Sequence, residues 1–172
     1  MSSLTIRYAV PADAELIADL SRQTFLETFA EQNSKENMDK FMNEVFNREA
    51  LIGEVERPGN IFLLAFNGTT AVGYVRMRES NNPSGLAVSP ALEIARIYAT
   101  ATAIGTGVGR QLMQHCIDIA LEKAKKVLWL GVWEHNHKAI NFYKKWGFEK
   151  FSTHTFMLGD DAQTDWLMKK EL

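Results

Sequence analysis

The sequence predicts a mixed α/β sandwich built on a largely antiparallel sheet. Followed from end to end, apolar periodicity and turn residues read β-ααα-ββ-β-α-β-α-ββ. Asn67-Gly68 lies between two apolar runs, Ile61–Phe66 and Ala71–Arg78, and is a strong hairpin signal. The stretch Leu92 to Gly109, LEIARIYATATAIGTGVG, passes from β-branched strand residues through Gly105, Gly107 and Gly109 into helical spacing.

Each element has a local reason. Residues 4–10 alternate Leu4, Ile6, Tyr8 and Val10 against Thr5, Arg7 and Ala9, the pattern of a half-buried strand. Pro11 suits a first helical position, and Leu16, Ile17, Leu20, Thr24 and Thr28 carry a helix to about Phe29. Ser34 can cap a second helix bearing Met38, Phe41, Met42, Val45 and Phe46. Asn47 starts a short third one that ends before Pro58-Gly59. After the hairpin, residues 79–90 form a loop with two prolines. Beyond the glycines a helix is expected from about Thr106 to Lys123, with Leu112, Cys116, Ile119 and Ala120 on its apolar face. Val127–Trp133 is a continuous apolar run, as in a strand covered on both faces. A helix from about Asn136 to Trp146 closes on Gly147. Phe148–Leu158 and Gln163–Lys170 make a last strand pair around Gly159-Asp160-Asp161.

The strand, glycine turn and helix start form an anion site in principle. Glycines let the backbone come close to a ligand, and the helix N-terminus offers unpaired N–H donors and a positive dipole end. A pyrophosphate fits such a turn. The spacing G-x-G-x-G matches neither the dinucleotide fingerprint nor a P-loop, since Gly109 is followed by Arg110 and Gln111.

Composition bounds the rest. The 172 residues, 46% apolar and 23% charged, suit one globular domain spanning 1–172. A net charge of −2 without a Lys/Arg stripe argues against nucleic-acid binding. The one cysteine, Cys116, reads as a small core residue. The first ten residues lack the pattern of a secretory signal, and the longest apolar run, 127–133, is far short of the roughly 20 residues that span a bilayer. A cytoplasmic protein without membrane contact is expected. His135, His137 and His154 show no metal-ligand spacing, so no metal is expected.

Asn136, Ala139, Ile140, Tyr143, Gly147 and Phe148 spell N-x-x-A-I-x-F-Y-x-x-x-G-F, starting 27 residues after Gly109. Behind a strand, a G-x-G-x-G turn, a helix and a buried strand, this resembles a GNAT-superfamily N-acetyltransferase. ETFAEQNSKENM (27–38), LEIARIY (92–98), LWLGVWEHN (128–136), AINFYKKWGF (139–148) and LGDDAQTD (158–165) resemble bacterial spermidine/spermine N-acetyltransferases of the Pai type. The resemblance implies the acyl-CoA N-acyltransferase fold, about seven mostly antiparallel strands flanked by helices. It also implies acetyl-CoA as the acetyl donor and an amine as acceptor. One position departs: where the family's signature opens with Gln or Arg, three residues before its first matched glycine, this chain has Ile104.

The resemblance implies roles residue by residue. The coenzyme pyrophosphate falls on Ile104, Gly105, Thr106, Gly107, Val108, Gly109 and Arg110. The pantetheine arm runs along the backbone of Ile97, Tyr98 and Ala99 and meets Asn136, which is also a natural N-cap. A backbone N–H of that strand would polarise the thioester carbonyl. Tyr143 is the implied acid that protonates the leaving thiolate, although helical spacing alone gives it a packing face with Ala139, Ile140 and Trp146. Glu93 is the candidate base, with ordered water as the alternative; strict alternation puts it on the face of Ile97 and opposite Arg96. Arg96 is expected in a structural salt bridge. Phe25, Glu27, Phe29, Glu31 and Glu134 mix rings and carboxylates, as a polyamine site would, although an ordinary amphipathic helix shows the same mix. The expected reaction is direct attack of a small amine, polyamines first, on acetyl-CoA. Acetylation of a protein N-terminus or lysine and a non-catalytic acetyl-CoA sensor are the alternatives. The C-terminal strand pair is an edge on which a homodimer could form.

Overall fold

The computed structural model describes residues 3–79, 82–83, 85–86 and 89–172. In chain order its elements are β1 (Leu4–Tyr8), α1 (Ala14–Phe29), α2 (Lys35–Glu44), α3 (Arg48–Glu54), β2 (Asn60–Asn67) and β3 (Thr70–Arg78). There follow β4 (Ala91–Ala99), α4 (Val108–Glu122), β5 (Val127–Trp133), α5 (His137–Lys145), β6 (Glu149–Leu158) and β7 (Asp161–Glu171). Of the loop expected over 79–90, residues 80, 81, 84, 87 and 88 lie outside the described residues, as do residues 1 and 2 at the N-terminus.

The expected caps form. Ser34 Oγ accepts from the Asn37 N–H at 3.1 Å, and Asn47 Oδ1 accepts from that of Ala50 at 2.9 Å. Gly147, at φ 90°, ends α5 in the left-handed region, as a C-terminal glycine does. Two boundaries differ from expectation. Pro11–Asp13 is a separate 3-10 turn ahead of α1, and α4 starts at Val108 because Ala101–Ala103 forms a 3-10 turn before the glycines.

Seven strands pair in the order β1-β2-β3-β4-β5-β7-β6, so the last strand to be made inserts between β5 and β6. Every neighbouring pair is antiparallel except β4 with β5. That parallel pair is short: Ala91, Leu92 and Glu93 match Val127, Leu128 and Trp129, and the two strands then part. Met77, Leu92, Ile94 and Leu128 pack on Leu112, Met113 and Cys116 of α4. On the opposite face Leu64 and Tyr74 pack on Ile17 and Leu20 of α1. Each fully buried aliphatic side chain of this kind stabilises by about 1.5–3 kcal/mol. Gly73 lets α4 come close: a Cβ there would lie 2.9 Å from both Tyr98 O and Val108 Cγ1.

β4 corrects the reading by strict alternation. Arg76 of β3 faces Arg96, and its neighbour Met77 faces Ile94, so Ala95 is the extra residue of a β-bulge. The bulge shifts the pleat by one. Glu93 and Arg96 therefore share a face with Arg76, Arg78 and Tyr98, while Ile94 and Ile97 join the α4 side. Glu93 is thus beside Arg96, not opposite it, and it is on the other face from Ile97.

Candidate active site

Where β4 and β5 part, a cavity of about 580 Å³ opens. Residues 94–99 of β4 form one wall and residues 131–133 of β5 the other. Beyond Glu93 this edge of β4 has no strand partner on the β5 side, so its backbone N–H and C=O groups face the gap. β5 stays paired to β7 along its length.

Ile104, Gly105, Gly107, Gly109 and Arg110 line one end of the cavity. Gly105 and Gly107 have φ of +83° and +97°, values an L side chain adopts only with strain. Nothing lies within 4 Å of where their Cβ atoms would be, so the space before the turn is open. Gly107 caps α4, and the amides of the helix's first turn have no intrahelical partner. Gly109 differs: it is already helical, and the Phe142 ring sits 3.7 Å from its would-be Cβ. This arrangement fits a coenzyme A pyrophosphate, with the open edge of Ile97, Tyr98 and Ala99 beside it for the pantetheine amides. Two side chains of this turn point away from the cavity. Val108 is buried in the α4 core, and Thr106 Oγ1 donates to Ala103 O at 2.5 Å, leaving only their backbones to face a ligand.

α5 supplies the acid candidate. Asn136 caps the helix, its Oδ1 accepting from the Ala139 N–H at 3.3 Å, and both residues line the cavity. Tyr143 lies two turns on, also in the cavity wall, its ring packed edge-on to Phe148. Burial pushes the phenol well above its ordinary range, so it holds its proton.

The base candidate lies elsewhere. Both nitrogens of the Arg78 fork bond the Glu93 carboxylate, at 2.6 and 3.0 Å, and Glu93 is not among the residues lining the cavity. Arg96 is in the salt bridge expected of it, donating to Glu54 at 2.5 Å. Arg76 reaches the same glutamate at 3.2 Å; burial, then repulsion from Arg96, lowers the Arg76 guanidinium to about 10.

Of the expected acceptor residues, Phe25 and Phe29 line the cavity and Glu27, Glu31 and Glu134 do not. Positions 25 and 29 are one helical turn apart on α1 and share its inner face, whereas 27 points outward. Glu27 accepts from the Ala101 N–H at 3.2 Å, Glu31 is exposed in a 3-10 turn, and Glu134 sits 3.5 Å from His135.

The cavity's carboxylate, among the described residues that line it, is Asp165 of β7. It is paired with Trp133 across β5 and β7, and its Oδ2 is 3.6 Å from His154 Nε2. Burial raises its pKa, and His154 pulls the other way. The signal for it was the alternation Gln163, Asp165, Leu167: two polar residues continue an inward-facing stripe that ends in a buried leucine. Cys116 is fully buried, and burial pushes its thiol up to about 12. Among the described residues there is no group of three His, Cys, Asp or Glu that could hold a metal, and no helix is long and apolar enough to cross a membrane.

A parted parallel pair, a glycine turn opening a helix and a buried tyrosine in the gap define an acyl-CoA-type transferase. Residues 18–148 match the Acetyltransferase (GNAT) family, and the chain belongs to it. It is accordingly an acetyl-CoA-dependent N-acetyltransferase. It is 44% identical, over 92% of this chain and 91% of the relative, to an uncharacterized N-acetyltransferase in the pepI 3' region of Lactobacillus delbrueckii subsp. lactis. It is 24% identical to a spermidine N(1)-acetyltransferase of Thermoplasma acidophilum, over 98% of both chains. Its fold matches the crystal structure of the PaiA N-acetyltransferase of that organism in complex with coenzyme A, with a TM-score of 0.80, 22% identity and 99% of both chains covered.

Proposed function

We propose that the enzyme acetylates the primary amine of a small molecule by direct attack within a ternary complex. The observation that carries this reading is the shared cavity: the glycine turn, the open β4 edge, Tyr143 and Asp165 all line it. Acetyl-CoA supplies an activated acetyl group as a thioester. The backbone amides of the turn and of α4's first turn bind its pyrophosphate, and Arg110 adds charge there. A β4 amide in the stretch Ile97 to Ala99 is placed to polarise the thioester carbonyl, a type of contact that contributes about 2.7–4 kcal/mol in acyl-transfer sites. Asp165 holds the incoming ammonium and takes one of its protons, which frees the lone pair that forms the N–C bond. The nitrogen's second excess proton then leaves to solvent, from which Tyr143 is later reprotonated. Tyr143 gives its phenolic proton to the sulfur as the C–S bond breaks. We assign the proton-accepting role to Asp165 because the Glu93 carboxylate is held by Arg78 outside the cavity. Cys116 is too deeply buried to carry an acetyl group, which supports direct attack.

Similarity to the spermidine N(1)-acetyltransferase supports a second reading, a polyamine acceptor. Release of free coenzyme A thiol from acetyl-CoA, measured over a panel of amines, tests the reaction. Saturable, amine-dependent release is expected. Tight acetyl-CoA binding without thiol release from any amine would refute acetylation of a small amine.

A further inference from the structure

Resting on the small-amine reading, we infer that the acceptor is a primary amine joined to an apolar or aromatic group, with no second cationic centre. The chamber next to the β4 edge is made of rings. Phe25 stacks on Phe41 with centroids 4.7 Å apart, and Phe29 meets Phe25 at 4.7 Å. Phe156 lies 5.6 Å from Phe41, and Trp133 meets Phe29 edge-on at 6.2 Å. All of these line the cavity, together with Phe46. They come from α1, α2, β5, β6 and the residue pair after α2, so the chamber is built by tertiary packing and not by one amphipathic helix.

The charges in this chamber oppose a polycation. Asp165 can hold one ammonium, and no other carboxylate lines the cavity among the described residues. Arg110 and Lys138 line it at the glycine turn and the start of α5, where the pyrophosphate fits. Arg96 stands among the rings, its guanidinium carbon 5.0 Å from the Phe46 centroid. Arg96 shares Glu54 with Arg76, which does not line the cavity. A second ammonium in the acceptor would find no second carboxylate among the described lining residues and would meet the Arg96 guanidinium at the ring wall, which repels it. An apolar tail instead gains burial against six rings.

The test compares kcat/KM for phenethylamine, hexylamine, putrescine and spermidine with the full chain and acetyl-CoA, read as thiol release. Phenethylamine and hexylamine are expected to exceed spermidine by at least about tenfold. Spermidine equal to or better than both would overturn the inference and leave amine acetylation intact. Silence from all four amines, with acetyl-CoA still raising the melting temperature, would overturn the small-amine reading and this inference with it. Phe29→Glu places a carboxylate on the ring wall at a half-buried position; it should narrow or reverse the preference by about tenfold. An unchanged ranking in the folded variant would count against the chamber as the tail site.

Discussion

Replacing Tyr143 with Phe separates chemistry from packing. The phenol ring fills the wall between Phe142 and Phe148, and the substitution keeps that ring. The hydroxyl belongs to a residue of the cavity wall, and its loss should change stability by no more than about 0.5 kcal/mol. Loss of a positioned acid lowers kcat by about 10²–10⁴, which is about 2.7–5.4 kcal/mol of transition-state stabilisation at 1.36 kcal/mol per decade. The two magnitudes are far enough apart to decide the case. Steady-state thiol release and a thermal melt on the same preparation would read both. Because burial keeps the phenol protonated, the rate deficit should be constant across the neutral pH range. It should also shrink with an acyl donor whose thiol is more acidic, since such a leaving group needs less help. A wild-type kcat in the folded variant, or an equal deficit with every leaving group, would refute Tyr143 as the acid.

Asp165→Asn should lower kcat/KM for the amine by at least about tenfold while leaving acetyl-CoA affinity unchanged. Its stability effect has the opposite sign. The folded-state pKa is raised, so the native protein binds more protons than the unfolded chain, and stability falls as pH rises through the window between the two values. The asparagine variant should lose that slope and melt higher at neutral pH; a lower melting temperature there would refute an unfavourably buried charge. Ile104→Arg, at a half-exposed position lining the cavity beside the turn, should tighten acetyl-CoA binding by about fivefold through one added phosphate contact, measured by titration calorimetry. Gly159→Ala should destabilise by about 2–5 kcal/mol, seen as a lower urea midpoint. Its φ is +62°, and a Cβ would lie 2.7 Å from Asn37 Cα and 2.8 Å from Asn37 O. Because that turn pins β6 to α2, the same variant should raise KM for the amine.

Features set by neighbours in the chain were legible in the sequence. Ser34, Asn47, Asn67-Gly68 and Gly147 mark boundaries through bonds made within a few residues, and the turn glycines announce a backbone no other residue takes easily. What the sequence hid is set by partners far away in the chain. The bulge at Ala95 exists only in the register with β3, and by moving the pleat one step it reassigns Glu93 from the cavity to Arg78. Asp165 looks like one acid in a polar tail until β7 inserts beside β5 and sets it across from Trp133. Counting carboxylates on α1 likewise overlooks that its inner face carries Phe25 and Phe29, while Glu27 turns to cap the Ala101 amide.

The parting of β4 from β5 after three residues means that the free protein keeps an unfinished sheet inside itself. An extended, amide-bearing ligand laid along that edge adds a strand in the thermodynamic sense. Its binding is then linked to global unfolding, contributing about 2.7 kcal/mol at a hundredfold excess over Kd. On the proposed site spent coenzyme A would use the same turn and edge, so product and donor would both protect the fold. The enzyme's lifetime against proteolysis should therefore follow the total coenzyme pool, whereas its turnover follows only the acetylated fraction.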